Sequence, residues 1–322
     1  MSYDGISSNR RDGQTNNDSQ ECEGSRFGVN TYPVHVTELD FRLGHLLEEL
    51  SRLGMLLIFV RNRHCISGIA GCMPSMFPTG KTFSGSTHEA HLHLNPDRWD
   101  HAYVIHEQDE RKGAYIGIEF FDARHNALFR AALTPNSEGC EMQQITQQYY
   151  QRCVPVEEMA GWTRMAELSC PTTASHLQID DNFIQKDPWS APFDMATTPM
   201  VKYEAGFSGG TALARTILEE AKEEKQELIL TVGGGFGRMN IPFSPSVVES
   251  VQRGWSFAGG NGGMLRLNPS AVATYWVGSY EDTDERYSYL EAVDCFGDLI
   301  LRINSYNPDA YHYWCALAKA AG

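Results

Sequence analysis

The chain is built from two copies of one pattern, and that repetition limits its fold more than any other feature. Val60 closes the apolar run Met55-Leu-Leu-Ile-Phe-Val60, and Val232 closes Glu227-Leu-Ile-Leu-Thr-Val232, an offset of 172. His91-Leu-His-Leu-Asn-Pro96 matches Met264-Leu-Arg-Leu-Asn-Pro269 at 173, and Tyr103-Val104 matches Trp276-Val277 at the same offset. Glu119-Phe-Phe-Asp122 and Leu128-Phe-Arg130 match Glu291-Ala-Val-Asp294 and Ile300-Leu-Arg302 at 172. Blocks recurring in one order at a nearly constant offset mark a tandem duplication. A length of 322 residues lets each copy bury its own core.

Each copy opens on a helix followed by a strand. Leu39, Leu43, Leu46, Leu47 and Leu50 share one helical face, with Thr37 as the expected N-cap and Gly54 where a helix stop belongs. The second copy predicts its helix over 211–225. Later blocks alternate apolar and polar residues, as in Leu92/Leu94 against His91/His93, the pattern of half-buried antiparallel strands. The fold class expected is α+β, a tandem duplication of an antiparallel sheet module with packed helices. Residues 1–27 read as a disordered tail, 28–170 as the first repeat, 171–188 as a linker and 189–322 as the second repeat. Within the first repeat, 142–169 reads as helical from Met142, Ile145, Tyr149, Met159, Trp162 and Met165.

Composition narrows the partners. A formal net charge of −15 argues against nucleic acid and anionic membranes, which require a basic face. No charge-free run of roughly 18 apolar residues offers a membrane span. The N-terminal residues lack the apolar core of a signal peptide, and the eight cysteines form no C-x-x-C pair. The expectation is a cytoplasmic protein with reduced, mainly buried thiols.

Several motifs resolve into structural roles. Gly233-Gly-Gly-Phe-Gly237 follows a strand, but Arg238 breaks the G-x-G-x-x-G spacing, and its repeat partner Arg61-Asn-Arg-His64 is a turn. Gly80-Lys-Thr82 lacks the upstream glycine of a phosphate loop. His88-Glu-Ala-His91 is one residue short of a helical zinc motif, whereas His91 and His93 share a strand face and read as a hydrogen-bonding pair. Glu119/Asp122 and Glu291/Asp294 fit turn and capping roles. No G-x-S-x-G or Cys/His nucleophile is present. Aromatic and methionine residues crowd the second copy, among them Trp189, Phe193, Tyr203, Phe207 and Trp276. They suit packing, or a large flat apolar ligand.

The repeated blocks resemble the bacterial hemin-degrading and haem-trafficking proteins of the HemS type. In the first copy the likeness rests on Leu57-Ile-Phe-Val-Arg-Asn-Arg-His-Cys65, Leu92-His-Leu-Asn-Pro-Asp-Arg-Trp99 and Phe120-Phe-Asp-Ala-Arg-His125. In the second it rests on Leu265-Arg-Leu267, Trp276-Val277, Tyr289-Leu-Glu-Ala-Val-Asp294 and Trp314-Cys-Ala-Leu317. The resemblance implies stacked antiparallel sheets, with haem between the second copy's sheet and a helix at its start. It also implies an axial histidine on that helix, but the matching position is Ala196, and no histidine lies between His176 and His312. The expected arginine falls near Gly209, a basic pair reads Gly278-Ser279, and a basic C-terminal stretch reads Ser305-Tyr-Asn-Pro308.

Substitute contacts on the corresponding segments are Met195, Met200 and Tyr203 for iron, with Lys202 and Arg286 for carboxylates. The function expected is haem binding, trafficking or degradation in iron acquisition, with altered ligation and no catalytic residue assigned. The competing reading is a non-catalytic relative that binds another ligand or a protein partner, so enzymatic activity stays open. Partners expected are haem or another flat apolar molecule, with a homodimer allowed for and neither nucleic acid nor membrane.

Overall fold

The computed structural model describes residues 31–109, 113–163, 202–203, 207–208, 213–250, 255–281, 286–307 and 309–321. The first half contributes β1 (Thr31–Leu39), α1 (Leu43–Leu50), β2 (Gly54–Arg61) and β3 (Cys65–Cys72). Three short strands follow, β4 (Phe77–Thr79), β5 (Thr82–Ser86) and β6 (His91–Leu94). The half closes on β7 (His101–Asp109), β8 (Gly113–Phe121), β9 (Ala127–Ser137), α2 (Gly139–Gln148) and β10 (Tyr150–Val154).

The second half repeats the order. Short strands β11 (Lys202–Tyr203) and β12 (Phe207–Ser208) precede α3 (Leu213–Glu223), β13 (Leu228–Gly234) and β14 (Gly237–Phe243). Then come β15 (Pro245–Ser250), β16 (Ser256–Gly260) and β17 (Gly263–Leu267). Last are β18 (Thr274–Glu281), β19 (Arg286–Val293), β20 (Leu299–Ser305) and α4 (Ala310–Ala321). The fold is α+β, as the duplication predicts. The proposed tail and linker lie outside the described residues.

The sheets do not follow the halves. One ten-stranded sheet runs β10-β1-β7-β8-β9-β2-β3-β17-β16-β15, and the other runs β11-β18-β19-β20-β13-β14-β6-β5-β4, with β12 on β18. Each half therefore gives three strands to the other's sheet. The junctions are antiparallel ladders: Met264 pairs with Gly68 across β17 and β3, and His91 pairs with Asn240 across β6 and β14. Both exchanged units end a sheet with a proline, Pro78 in β4 and Pro245 in β15. Proline cannot donate to a ladder, so it suits an edge.

Alternation sends Leu56, Ile58 and Val60 of β2, and Leu228, Leu230 and Val232 of β13, into one core shared by both sheets. The buried stripes Leu43/Leu46/Leu47/Leu50 of α1 and Leu213/Ile217/Leu218/Ala221 of α3 close over it. The Asn-Pro motif common to both copies marks the crossover. Asn95 Oδ1 caps the short 3-10 turn Pro96–Arg98 while its backbone N–H donates to Phe236 in the other half, 2.9 Å away. Asn268 caps Pro269–Ala271 in the same way and donates to His64 at 2.9 Å.

The glycine run is the β13–β14 hairpin. A Cβ on Gly233 would lie 2.2 Å from the Gly237 carbonyl oxygen, and Gly237 has φ of 136°. Its partner hairpin in the first half is held by Asn62. The Asn62 side-chain oxygen accepts from the His64 and Cys65 backbones, while Nδ2 donates to Gly233 and Ile300 carbonyls at 3.0 and 2.7 Å.

Some local expectations need correction. Thr37 is buried inside β1 rather than capping a helix, and α1 starts at Leu43 after Arg42, with no side-chain cap. Tertiary pairing of Thr37 with Val104 and Cys153 overrides its capping preference. Of the stretch 142–169, the described part, 142–163, is helical only to Gln148, and Met165 lies outside the described residues. Tyr150–Val154 then pairs with β1, and Val156–Met159 is a 3-10 turn. Thiols are less buried than expected: Cys65 and Cys315 are buried, but Cys72, Cys140, Cys153 and Cys295 are exposed. Asp122 and Asp294 do organise turns, their Oδ1 atoms accepting from Arg124 and Asn126, and from Phe296 and Asp298.

Asn62→Ala removes hydrogen bonds that tie the halves together and leaves carbonyls of Gly233 and Ile300 without that donor. Urea denaturation should show a loss of about 1–3 kcal/mol, against a change within about 0.5 kcal/mol for an exposed substitution such as Lys81→Ala.

Candidate functional site

The duplicated sheets can be compared residue by residue on the face turned away from the shared core. Across the first sheet, paired positions read Tyr103, Glu119, Arg130, Phe59, Gly68, Met264 and Gly259. Across the second, the equivalent row reads Trp276, Glu291, Arg302, Thr231, Asn240, His91 and Ser86. The same register therefore carries different chemistry.

The first face is filled by its own side chains. The Phe59 ring occupies the space above Gly68, where a Cβ would come within 2.3 Å of it, and Met264 packs alongside. Phe59, Ile66, Ile105, Phe121, Phe257 and Met264 form an apolar cluster with Val154 of β10 and Met159 against it. At its margin His125 stacks between His101 and Trp162, with centroids at 4.6 and 4.1 Å. Tyr103 Oη lies 3.2 Å from His125 Nε2, and Glu38 receives Arg152 Nε at 2.6 Å. Burial, followed by the Glu38 carboxylate, pushes the Tyr103 hydroxyl well above its usual range.

The second face is polar and unsatisfied. Thr231, Asn240 and Asn304 are only 3%, 1% and 8% exposed. Thr231 Oγ1, both polar atoms of the Asn240 amide, and Asn304 Nδ2 make no hydrogen bond among the described residues. Each such atom costs about 1–3 kcal/mol when buried. Beside them the exchanged hairpin places His91 and His93, half-buried, with Nδ1 atoms 2.7 and 2.8 Å from the hydroxyls of Ser86 and Ser84. Burial and then the Arg238 guanidinium hold the His93 imidazole below its usual range. Glu291 pairs with Arg302, whose guanidinium stands 5.5 Å from the centre of the Tyr289 ring.

The residues singled out from sequence fall elsewhere. Met195 and Met200 lie outside the described residues. Lys202 and Tyr203 form β11, opposite Ser279 and Gly278, and Arg286 starts β19 opposite Glu281. These three gather at the β11–β18–β19 edge, roughly 20 Å from β6 for Arg286 and roughly 30 Å for Lys202 and Tyr203 at ~4.8 Å per strand. The glycine where a basic residue was expected has a local reason: a Cβ on Gly278 would meet the Tyr289 ring at 2.3 Å. Thr231, Asn240 and His93 were not singled out as ligand contacts. For Thr231 and Asn240 the signal was the 172-residue offset, which sets them against Phe59 and Gly68.

The described residues hold no cluster of three or more metal-ligating side chains. No helix among them is long and apolar enough to cross a membrane. Residues 21–149 match the family model of the haemin-degrading HemS.ChuX domain. That match spans about two fifths of the chain. The fold extends the likeness over both halves of the chain. The heme degrading enzyme ChuS of Escherichia coli O157:H7 superposes with a TM-score of 0.65 at 16% identity, over 88% of this chain and 87% of that one. Holo-PhuS, a heme-binding protein from Pseudomonas aeruginosa, gives 0.63 at 15% identity, over 87% and 86%. No curated protein matches the sequence. At such identities the superpositions establish the two-module fold alone.

His125 offers a pH test of the first face. Burial and then His101 hold its imidazole below the ordinary 6.5, so the fold keeps it neutral. The unfolded chain binds more protons below about pH 6.5, so this site loses stability as pH falls through that value. His64, His93 and His106 are displaced the same way. Denaturation midpoints between about pH 7 and 5 should fall, and His125→Gln should make that slope shallower.

Proposed function

We propose that this chain binds haem on the second sheet's polar face, as a haem-trafficking or haem-degrading protein of iron acquisition. The observation carrying this reading is the asymmetry of the twin faces. One is sealed by Phe59, Ile66 and Met264; its duplicate keeps Thr231 Oγ1, the Asn240 amide and Asn304 Nδ2 buried without hydrogen-bond partners among the described residues. Unpartnered polar atoms destabilise the resting fold and are retained where a ligand supplies the missing hydrogen bonds.

The donor set fits haem in kind. Imidazoles can meet the iron, and amides and hydroxyls can meet carboxylates. Bound haem would supply the redox and oxygen chemistry; the chain's own groups bind and orient it. Lys202, Tyr203 and Arg286 lie at the far edge of the same sheet, roughly 20–30 Å from β6, where they would serve a ligand seated at that edge instead, and Met195 and Met200 stay candidates from sequence. A cytoplasmic location accords with this role.

A second reading has its own observation. Tyr289 fills the space over Gly278, so the position expected to bring a cation to a carboxylate brings none. A neutral ligand with a hydrogen-bonding edge would suit Thr231 and Asn240 equally well. The protein would then be a non-catalytic relative with a different small molecule or partner.

Titration of the full chain with hemin should give a saturable Soret band at micromolar protein. Thr231→Val removes an unpartnered hydroxyl at constant shape. It should raise the stability of the ligand-free protein by up to about 1 kcal/mol and weaken hemin binding. A hemin spectrum indifferent to the protein would reject haem. A stabilised Thr231→Val variant beside that result would point to the second reading.

A further inference from the structure

We propose that His93, carried onto the second sheet by the hairpin exchanged from the first half, is the axial ligand of the haem iron. This inference rests on the haem reading above and adds where the iron sits. The segment expected to supply a histidine has Ala196 instead, and the second half's described histidine, His312, lies exposed on α4. Strand exchange provides a route that a search along the second half alone does not reach. It sets His93 opposite Arg238 on one side and Ser84 on the other, on the face that holds the unpartnered Thr231 and Asn240.

The local geometry is that of a prepared ligand. Histidines that bind metals usually engage their second ring nitrogen in a hydrogen bond, which fixes both the tautomer and the ring orientation. His93 Nδ1 lies 2.8 Å from Ser84 Oγ, and in the tautomer with Nδ1–H donating to Ser84 the Nε2 lone pair points away from that bond. No hydrogen bond to Nε2 is formed among the described residues. Leu92 and Leu94 on either side are fully buried in the core, so the backbone beneath the imidazole is held. Coordination forms one Nε2–iron bond and displaces a water from the ferric centre, with no change in oxidation state.

His91 is the internal comparison. It lies on the same strand face with the same serine arrangement through Ser86, but opposite Asn240 rather than Arg238. Its Ser86 partner is exposed, whereas Ser84 is half-buried. The site at His93 is the drier of the two, and a neutral nitrogen competes better with water there.

The test titrates hemin into the full chain and into His93→Ala, His93→Gln, His91→Ala and Ser84→Ala, reading absorption and electron paramagnetic resonance. Circular dichroism and thermal melts confirm folding of each variant. The expected result is a nitrogen-ligated ferric signature in the parent chain and in His91→Ala. That signature should be lost in both His93 variants and restored to His93→Ala by added imidazole. Ser84→Ala should keep the signature with affinity weakened ~10-fold. A ferric spectrum and affinity unchanged in both His93 variants would overturn the assignment while leaving haem binding intact. Loss of the signature in Met195→Ala, Met200→Ala or Tyr203→Phe, with the His93 variants unaffected, would overturn it in favour of the sequence-derived ligands. Absence of any hemin spectrum in the parent chain overturns both this assignment and the haem reading.

Discussion

Two backbone ladders hold this architecture together: β17 on β3, and β6 on β14. Each replaces what would be an open edge of a half-molecule with strands from the other half. An unpaired strand edge exposes a row of donors and acceptors, so closing both edges reciprocally satisfies more than either half could alone. The side-chain hydrogen bonds of Asn62 and the backbone bonds of Asn95 and Asn268 all cluster at this crossover. The repeated Asn-Pro pair, which looks in sequence like an ordinary turn, is the point where each copy grips its twin.

Exchange also decides what each sheet face contains. Met264 and Phe257 belong to the second half by sequence, yet they fill the first half's outer cluster. His91 and His93 travel the other way. Burying side chains of the size of Phe59 and Met264 contributes about 1.5–3 kcal/mol each, so the first face is stable as it stands. The second face carries Thr231, Asn240 and Asn304 at comparable burial and loses rather than gains from them. Duplication followed by divergence has left one sheet as scaffold and its partner as the costly surface. Costly surfaces that persist in a folded protein are where binding is most economically sought.

Much of this was legible in the sequence, and what was hidden has physical causes. The leucine stripe of α1 and the alternation at Leu92/Leu94 report local periodicity, which depends only on neighbours in the chain. Thr37 has the right residue type for a cap, but a ladder with β7 and β10 outweighs a single side-chain hydrogen bond. Met159 and Trp162 mimic helical spacing because they pack on one cluster from irregular backbone, while Tyr149, just past the end of α2, joins the main core. Strand exchange leaves no local trace: β6 shows the same alternation whichever sheet it joins. The polar row of the second face was written in the offset of 172, yet reading it required the strand register, which places Thr231 beside Asn240 and Asn240 beside His91.

The interlock has a consequence for how the chain is made. Gly68 emerges from the ribosome almost two hundred residues before its partner Met264, which at common synthesis rates is a wait on the order of 10–40 s. Throughout that interval β3 is a finished strand with no neighbour on one side, while β4–β6 have no sheet to join. A neighbouring nascent chain can offer the missing strands as readily as the molecule's own unfinished half. The topology that closes one edge of each half in the mature protein therefore leaves those same edges open longest while the chain is being made.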